Sequence, residues 1–195
     1  MDLTSDRRSI VADVMADWLR EAKAGETMSV ILRVPGLDAH FEKVQDRAAD
    51  LMPDLRDFET EFHVTLAYAS GLSMDSIDAA VPEVVEAIRD KSFTLTIGPV
   101  TSLVNQKGEC VLYLAVNDQG LTDLHFAIRT VLSLGGGVYT FPVFKGHVTM
   151  AYRGTPIDEA SVSDLNAITP MVSVACGSKD FKVTRKNGDA WERLA

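Results

Sequence analysis

Cysteine, histidine and clustered positive charge are all scarce in this sequence. Its 195 residues include two cysteines and four histidines. Cys110 opens one apolar run ("CVLYLAV") and Cys176 closes another ("MVSVAC"). With no metal-ligand spacing around either, both read as buried, reduced thiols of a cytoplasmic protein, a disulfide between them being the alternative. Lys and Arg number 19 against 28 Asp and Glu, a net charge of −9, and no basic cluster appears. A protein that grips long duplex nucleic acid by releasing counterions needs a basic face, so that class is excluded; a short nucleotide in a pocket with one or two local cations is not. No apolar run approaches the roughly 18–20 residues that span a bilayer. The opening "MDLTSDRRSIVADVMADW" mixes charge into its apolar positions, unlike a secretory signal. Gly135-Gly136-Gly137 lacks the G-K-[ST] of a phosphate-binding loop. The expectation is a soluble, cytoplasmic monomer with no membrane partner.

Apolar residues are otherwise ample, at 46% of the chain, enough for a real core. Their periodicity predicts a helix over 5–24, capped by Ser5 and stopped at Gly25, as an N-terminal extension (1–27) to a single domain (28–195). Within that domain "MSVILRV" reads as a strand, "DAHFEKVQDRAADLM" as an amphipathic helix, and 61–69 as a strand. A helix kinked near Pro82 follows, then "SFTLTIGPVTSLV" and "ECVLYLAV" as a hairpin across "NQKG". A helix over 120–135, a strand over 147–153, a helix at about 157–168 and two final strands with a turn at Asn187-Gly188 complete the order. The succession of strand and helix repeats, which predicts an α+β fold. It has two pseudo-symmetric lobes with antiparallel sheets facing a central cleft and helices outside.

The repeat is anchored by a phrase. "EFHVTLAY" (61–68) and "KGHVTMAY" (145–152) share the frame H-V-T-[LM]-A-Y and use two of the four histidines. Strand side chains alternate with period two. His63 and Thr65 therefore share one face, opposite Val64, Leu66 and Tyr68; His147 and Thr149 likewise oppose Val148, Met150 and Tyr152. Across a cleft, two such faces offer two imidazoles and two hydroxyls. One neutral imidazole can take a proton from water or a ribose hydroxyl, and one protonated imidazole can donate to the leaving oxygen of a phosphodiester. The hydroxyls can hold the non-bridging oxygens. This chemistry requires no metal. A zinc site is disfavoured because each frame supplies one good ligand and a Thr.

"HVTL" at 63–66 and "HVTM" at 147–150 resemble the paired H-x-[ST]-hydrophobic signatures of the 2H phosphoesterase superfamily. That superfamily includes 2′-5′ RNA ligase-like proteins, 2′,3′-cyclic nucleotide phosphodiesterases and phage-borne members. The resemblance implies a bilobal α+β fold with both motif strands on a central groove. It implies His63 and His147 as the acid–base pair, and Thr65 and Thr149 as the phosphate-holding hydroxyls. The implied substrate is an RNA-type phosphodiester: a 2′,3′-cyclic phosphate, a 2′-5′ linkage or a small cyclic oligonucleotide. Two alternatives are a phage enzyme that degrades cyclic oligonucleotide immune signals and an inactive 2H fold used for binding. Many members carry a proline just before a motif histidine, where this chain has Phe62 and Gly146.

Period two further places Glu61 beside His63, and Lys145 and Arg153 beside His147. Glu61 is then expected to favour a protonated His63, and Lys145 a neutral His147 and a bound phosphate. In the loop before the second motif, Tyr139 and Phe141, with Phe144, are candidates to contact a base. His40 and His125 read as surface or core residues of helices, and Trp18 and Trp191 as packing. No cofactor is expected.

Overall fold

The computed structural model describes residues 25–105, 108–139, 144–187 and 190–195. The expected N-terminal helix, with Trp18, lies outside them, as do Phe141, two residues of the "NQKG" turn and Gly188.

The first strand, β1 (Glu26–Arg33), leads into α1 (Asp38–Leu51), whose Phe41, Val44 and Ala48 are buried on one side. The first motif forms β2 (His63–Leu72), and α2 (Met74–Ile88) follows as one element that runs through Pro82. The side chain of Ser73 caps α2 by accepting from Ser76 N at 3.0 Å. Next come the hairpin β3 (Ser92–Val104) and β4 (Cys110–Asn117), α3 (Gln119–Leu134), capped by Asp118, and the short β5 (Val138–Tyr139). The second motif forms β6 (His147–Arg153), followed by α4 (Glu159–Ile168), β7 (Val172–Gly177), β8 (Phe181–Asn187) and β9 (Ala190–Arg193). The order matches the sequence expectation, with β1 starting two residues early.

Among the described residues the strands make one antiparallel sheet, in the order β7-β3-β4-β6-β2-β1-β8-β9, with β5 against β2. The expected lobes are the two halves of this sheet. They meet where the motif strands meet, through the register pair Val64↔Val148, so they are continuous rather than two separate sheets. The halves also do not follow the chain. After α2 the chain crosses to set β3 beside β4, and after α4 it crosses back to set β8 beside β1. Helices pair in the same exchanged manner, α2 with α3 and α1 with α4. Each lobe is thus completed by strands from the other half of the sequence, which ties the two motif strands into one body. The core is apolar: Val64, Leu66, Val148 and Met150 are essentially inaccessible, as are Leu112 and Leu114 of β4. Burial of a side chain of this size contributes about 1.5–3 kcal/mol.

Candidate active site

Val64↔Val148 fixes the geometry of the two phrases. In that antiparallel register His63 stands opposite Thr149, and Thr65 opposite His147. All four lie on the face turned away from the buried valines, and all four line one cavity of about 310 Å³. Residues diagonal to one another in such a ladder, as His63 and His147 are, have side-chain origins about 7–8 Å apart. Each imidazole therefore neighbours the hydroxyl of the other strand, a cross-pairing that one strand alone does not reveal.

Both imidazoles are oriented by the same device. His63 Nδ1 lies 2.8 Å from the Glu61 carbonyl, and His147 Nδ1 lies 2.7 Å from the Lys145 carbonyl. A carbonyl oxygen only accepts, so each Nδ1 carries a hydrogen and donates it. That leaves Nε2 of each ring as the nitrogen available for proton transfer. Tyr113, on the neighbouring strand opposite Thr149, packs edge to face on the His147 ring, with centroids 5.3 Å apart. Gly146 is required by close approach: a Cβ there would stand 2.9 Å from the Val116 carbonyl oxygen.

The tyrosines overturn the period-two expectation. Against β1, Ile31 pairs with Thr65 but Val30 pairs with Ala67, so Leu66 is one extra residue in β2. Against β4, Tyr113 pairs with Thr149 but Leu112 pairs with Ala151, so Met150 is one extra residue in β6. Each phrase therefore carries a β-bulge at the same position, and a bulge reverses the faces beyond it. Leu66 with Ala67, and Met150 with Ala151, are buried as adjacent pairs. Tyr68 and Tyr152 are turned onto the open face with the histidines and line the cavity. Burial raises the Tyr152 phenol above its ordinary value, with Glu59 adding to this and a hydrogen bond with Thr149 opposing it.

The bulges are pinned in matching ways. The Leu66 carbonyl accepts from His125 Nδ1 of α3 at 2.5 Å. The Met150 carbonyl accepts from Gln45 Nε2 of α1 at 3.3 Å and from the Glu59 amide at 3.0 Å. His125 is 5% exposed, stacks on Phe144 with centroids 4.4 Å apart, and borders the cavity. Its Nε2 is buried without a hydrogen-bond partner among the described residues. Burial lowers its pKa, so the ring is neutral with its proton on Nδ1; the Leu66 hydrogen bond works in the other direction and Arg129 adds to the lowering.

Of the three flanking charges, Glu61 and Arg153 are engaged outside the cavity. Glu61 does not border the cavity. Its carboxylate is bound by Lys182 Nζ at 2.7 Å and paired with Arg33, and the Lys182 hydrogen bond holds its pKa below the usual range. Glu61 reaches His63 through its main-chain carbonyl, and its charge is already matched. Arg153 lies beyond the bulge and is turned to the other face, where Nε donates to Asp54 Oδ1 at 2.7 Å and Nη1 to the Pro156 carbonyl at 3.1 Å. Lys145 is exposed and borders the cavity as expected. Tyr139 pairs through its main chain with Ala69. Trp191 is not packed away: it is 48% exposed and meets Tyr68, itself 38% exposed, edge to face at 6.2 Å. Both cysteines are free and buried. Among the described residues no three His, Cys, Asp or Glu converge as metal ligands, and no helix is long and apolar enough to cross a membrane.

Comparison with known proteins identifies the family and the fold. Residues 37–176 match the family described as the 2′-5′ RNA ligase superfamily. TT0787 of Thermus thermophilus superposes with a TM-score of 0.67 at 14% identity, over 87% of this chain and 95% of that one. Escherichia coli LigT complexed with 3′-AMP gives 0.59 at 16% identity, over 88% and 96%. Kluyveromyces marxianus Usb1 with uridine monophosphate gives 0.58 at 11% identity, over 86% and 97%. No curated protein sequence matches the chain.

Proposed function

The chain belongs to the 2′-5′ RNA ligase superfamily, the 2H phosphoesterases, and from that premise we propose a metal-independent phosphodiesterase that acts on a small RNA-type phosphodiester. The observation that carries the proposal is the convergence of two carbonyl-oriented imidazoles and two hydroxyls on one cavity. A neutral Nε2 on one histidine removes the proton of the attacking oxygen, a water or an adjacent ribose hydroxyl, as its bond to phosphorus forms. The second histidine, protonated, passes its Nε2 proton to the leaving oxygen as the opposite P–O bond breaks. The Nδ1–H bonds to the Glu61 and Lys145 carbonyls keep both rings in place through the exchange of charge. Hydroxyls of Thr65 and Thr149, with Lys145 at the rim, stabilise the non-bridging oxygens. Lys182 and Arg33 share the Glu61 carboxylate and weaken its pull on His63; Lys145, on the cavity wall, distinguishes the second half-site from the first.

The net charge of −9 supports small substrates over long nucleic acid. LigT with 3′-AMP and Usb1 with uridine monophosphate are relatives in fold that hold mononucleotides, in keeping with this choice. The test is turnover of 2′,3′-cyclic nucleotides, 2′-5′-linked dinucleotides and cyclic dinucleotides in the presence of EDTA. Activity is expected to persist in EDTA and to be lost in His63→Ala and in His147→Ala. Activity that survives both substitutions contradicts the proposal.

A further inference from the structure

The two bulges place one tyrosine at each end of the His–Thr group. Measured along the strands from Val64↔Val148, Tyr68 and Tyr152 each lie four residues away, one of them consumed by the bulge. At about 3.3 Å per residue this sets each tyrosine about 10 Å from the centre, in opposite directions. The ends differ. Beyond Tyr68 the exposed ring of Trp191 extends the aromatic surface past the cavity, and Lys145 stands at the same end. Around Tyr152 the cavity is lined by Leu103 and Val111, with Glu59 and Asn105. Tyr68 and Trp191, 38% and 48% exposed, present their rings together on the strand face. The Tyr68 end also holds a buried imidazole nitrogen, His125 Nε2, with no hydrogen-bond partner among the described residues.

We propose that the site binds a nucleoside on each side of the scissile phosphate, one base stacking on Tyr68 and Trp191 and the other held against Tyr152, Leu103 and Val111. The substrate class is then a dinucleotide linkage, linear or cyclic, rather than a terminal 2′,3′-cyclic phosphate. The inference rests on the phosphodiesterase reading for where the phosphate sits. The cavity of about 310 Å³ is at the small end of ligand sites. It suits the phosphate and one nucleoside, while the second base lies on the exposed platform. Stacking of a base on an aromatic side chain tolerates any base, so the platform confers reach rather than sequence choice.

The test is calorimetric titration of 2′-5′-linked diadenosine monophosphate and of AMP into the His147→Ala protein, whose turnover is expected to be about 10²–10⁴-fold slower. The dinucleotide is expected to bind with one-to-one stoichiometry and at least about tenfold more tightly. Tyr68→Ala or Trp191→Ala, introduced in the same background, is expected to weaken the dinucleotide by about 5- to 150-fold, towards the affinity of AMP. Equal affinities for the two ligands, or dinucleotide binding indifferent to both aromatic substitutions, would overturn the inference. Wild-type turnover is read separately. A clear binding contrast without cleavage would spare the two subsites and sink the acid–base reading; cleavage of cyclic mononucleotides without a binding contrast would do the reverse.

Discussion

His125→Phe probes the pin that turns Tyr68 onto the open face. The substitution keeps the ring's bulk beside Phe144 and removes one donor, the Nδ1–H bonded to the Leu66 carbonyl. Leu66 is buried, so its carbonyl is left without that partner in a largely desolvated position. An unsatisfied buried group of this kind costs about 1–3 kcal/mol. Denaturant titration at pH 7.5 should show that loss. The pH dependence follows from the lowered pKa of His125, caused chiefly by burial. The unfolded chain protonates this histidine near pH 6.5, whereas the folded chain keeps it neutral to lower pH. Between those two values the unfolded state binds more protons, so wild-type stability falls as pH drops below about 6.5, by at most about 1.4 kcal/mol per pH unit for one proton. His125→Phe lacks this component, so the gap between variant and wild type should narrow from pH 7.5 to 5.5. With the bulge unpinned, Tyr68 is displaced and KM should rise more than kcat falls, with the pH optimum unchanged. A variant as stable as wild type, with unchanged KM and an unaltered stability gap across that range, would refute the pinning role.

Gly146→Ala should lose about tenfold in kcat, because its new Cβ meets the Val116 carbonyl at 2.9 Å and must displace the start of the second motif; wild-type kinetics with an unchanged melting temperature would contradict this. Glu61→Gln should leave turnover within about twofold, since its carboxylate serves Lys182 and Arg33. Its stability cost should stay below about 1 kcal/mol, fully present above the ordinary carboxylate pKa and lost as pH falls from there through the lowered one; a tenfold loss of kcat would place the carboxylate in the site. Burial, with Asp180 adding, pushes the Cys176 thiol up to about 11. About one molecule in a thousand then carries the thiolate at pH 8, so iodoacetamide should label Cys176 only after denaturation, and rapid labelling of the native protein would contradict its burial.

Much of the site was legible in the sequence because strand alternation is local. His63 and Thr65 share a face for the reason given by period two, and so do His147 and Thr149. Tyr68, Tyr152 and Arg153 were misplaced because one extra residue per strand reverses every face beyond it. A signal for the bulge was present. After polar-apolar-polar at His-Val-Thr, two apolar residues run together, Leu66-Ala67 and Met150-Ala151, before the polar ring of tyrosine returns. The exchange of β3 and β8 between lobes was not legible, since pairing across the chain leaves no local trace. His125 sits in "LHFAI", an apolar setting that marks burial but not the carbonyl it serves. Glu61 and Lys145 were placed by periodicity in similar settings, yet Lys182 and Arg33 decide the fate of Glu61 from strands distant in sequence.

The central claim is that the imidazoles of His63 and His147 act as one acid and one base. The pH–rate profile of kcat/KM, compared among wild type, His63→Ala and His147→Ala with EDTA present, tests it most directly. A bell-shaped wild-type profile is expected, with a loss of about 10²–10⁴-fold in each variant and a single limb kept by the residual activity of each. A variant that keeps wild-type activity, or keeps both limbs of the bell, would contradict it.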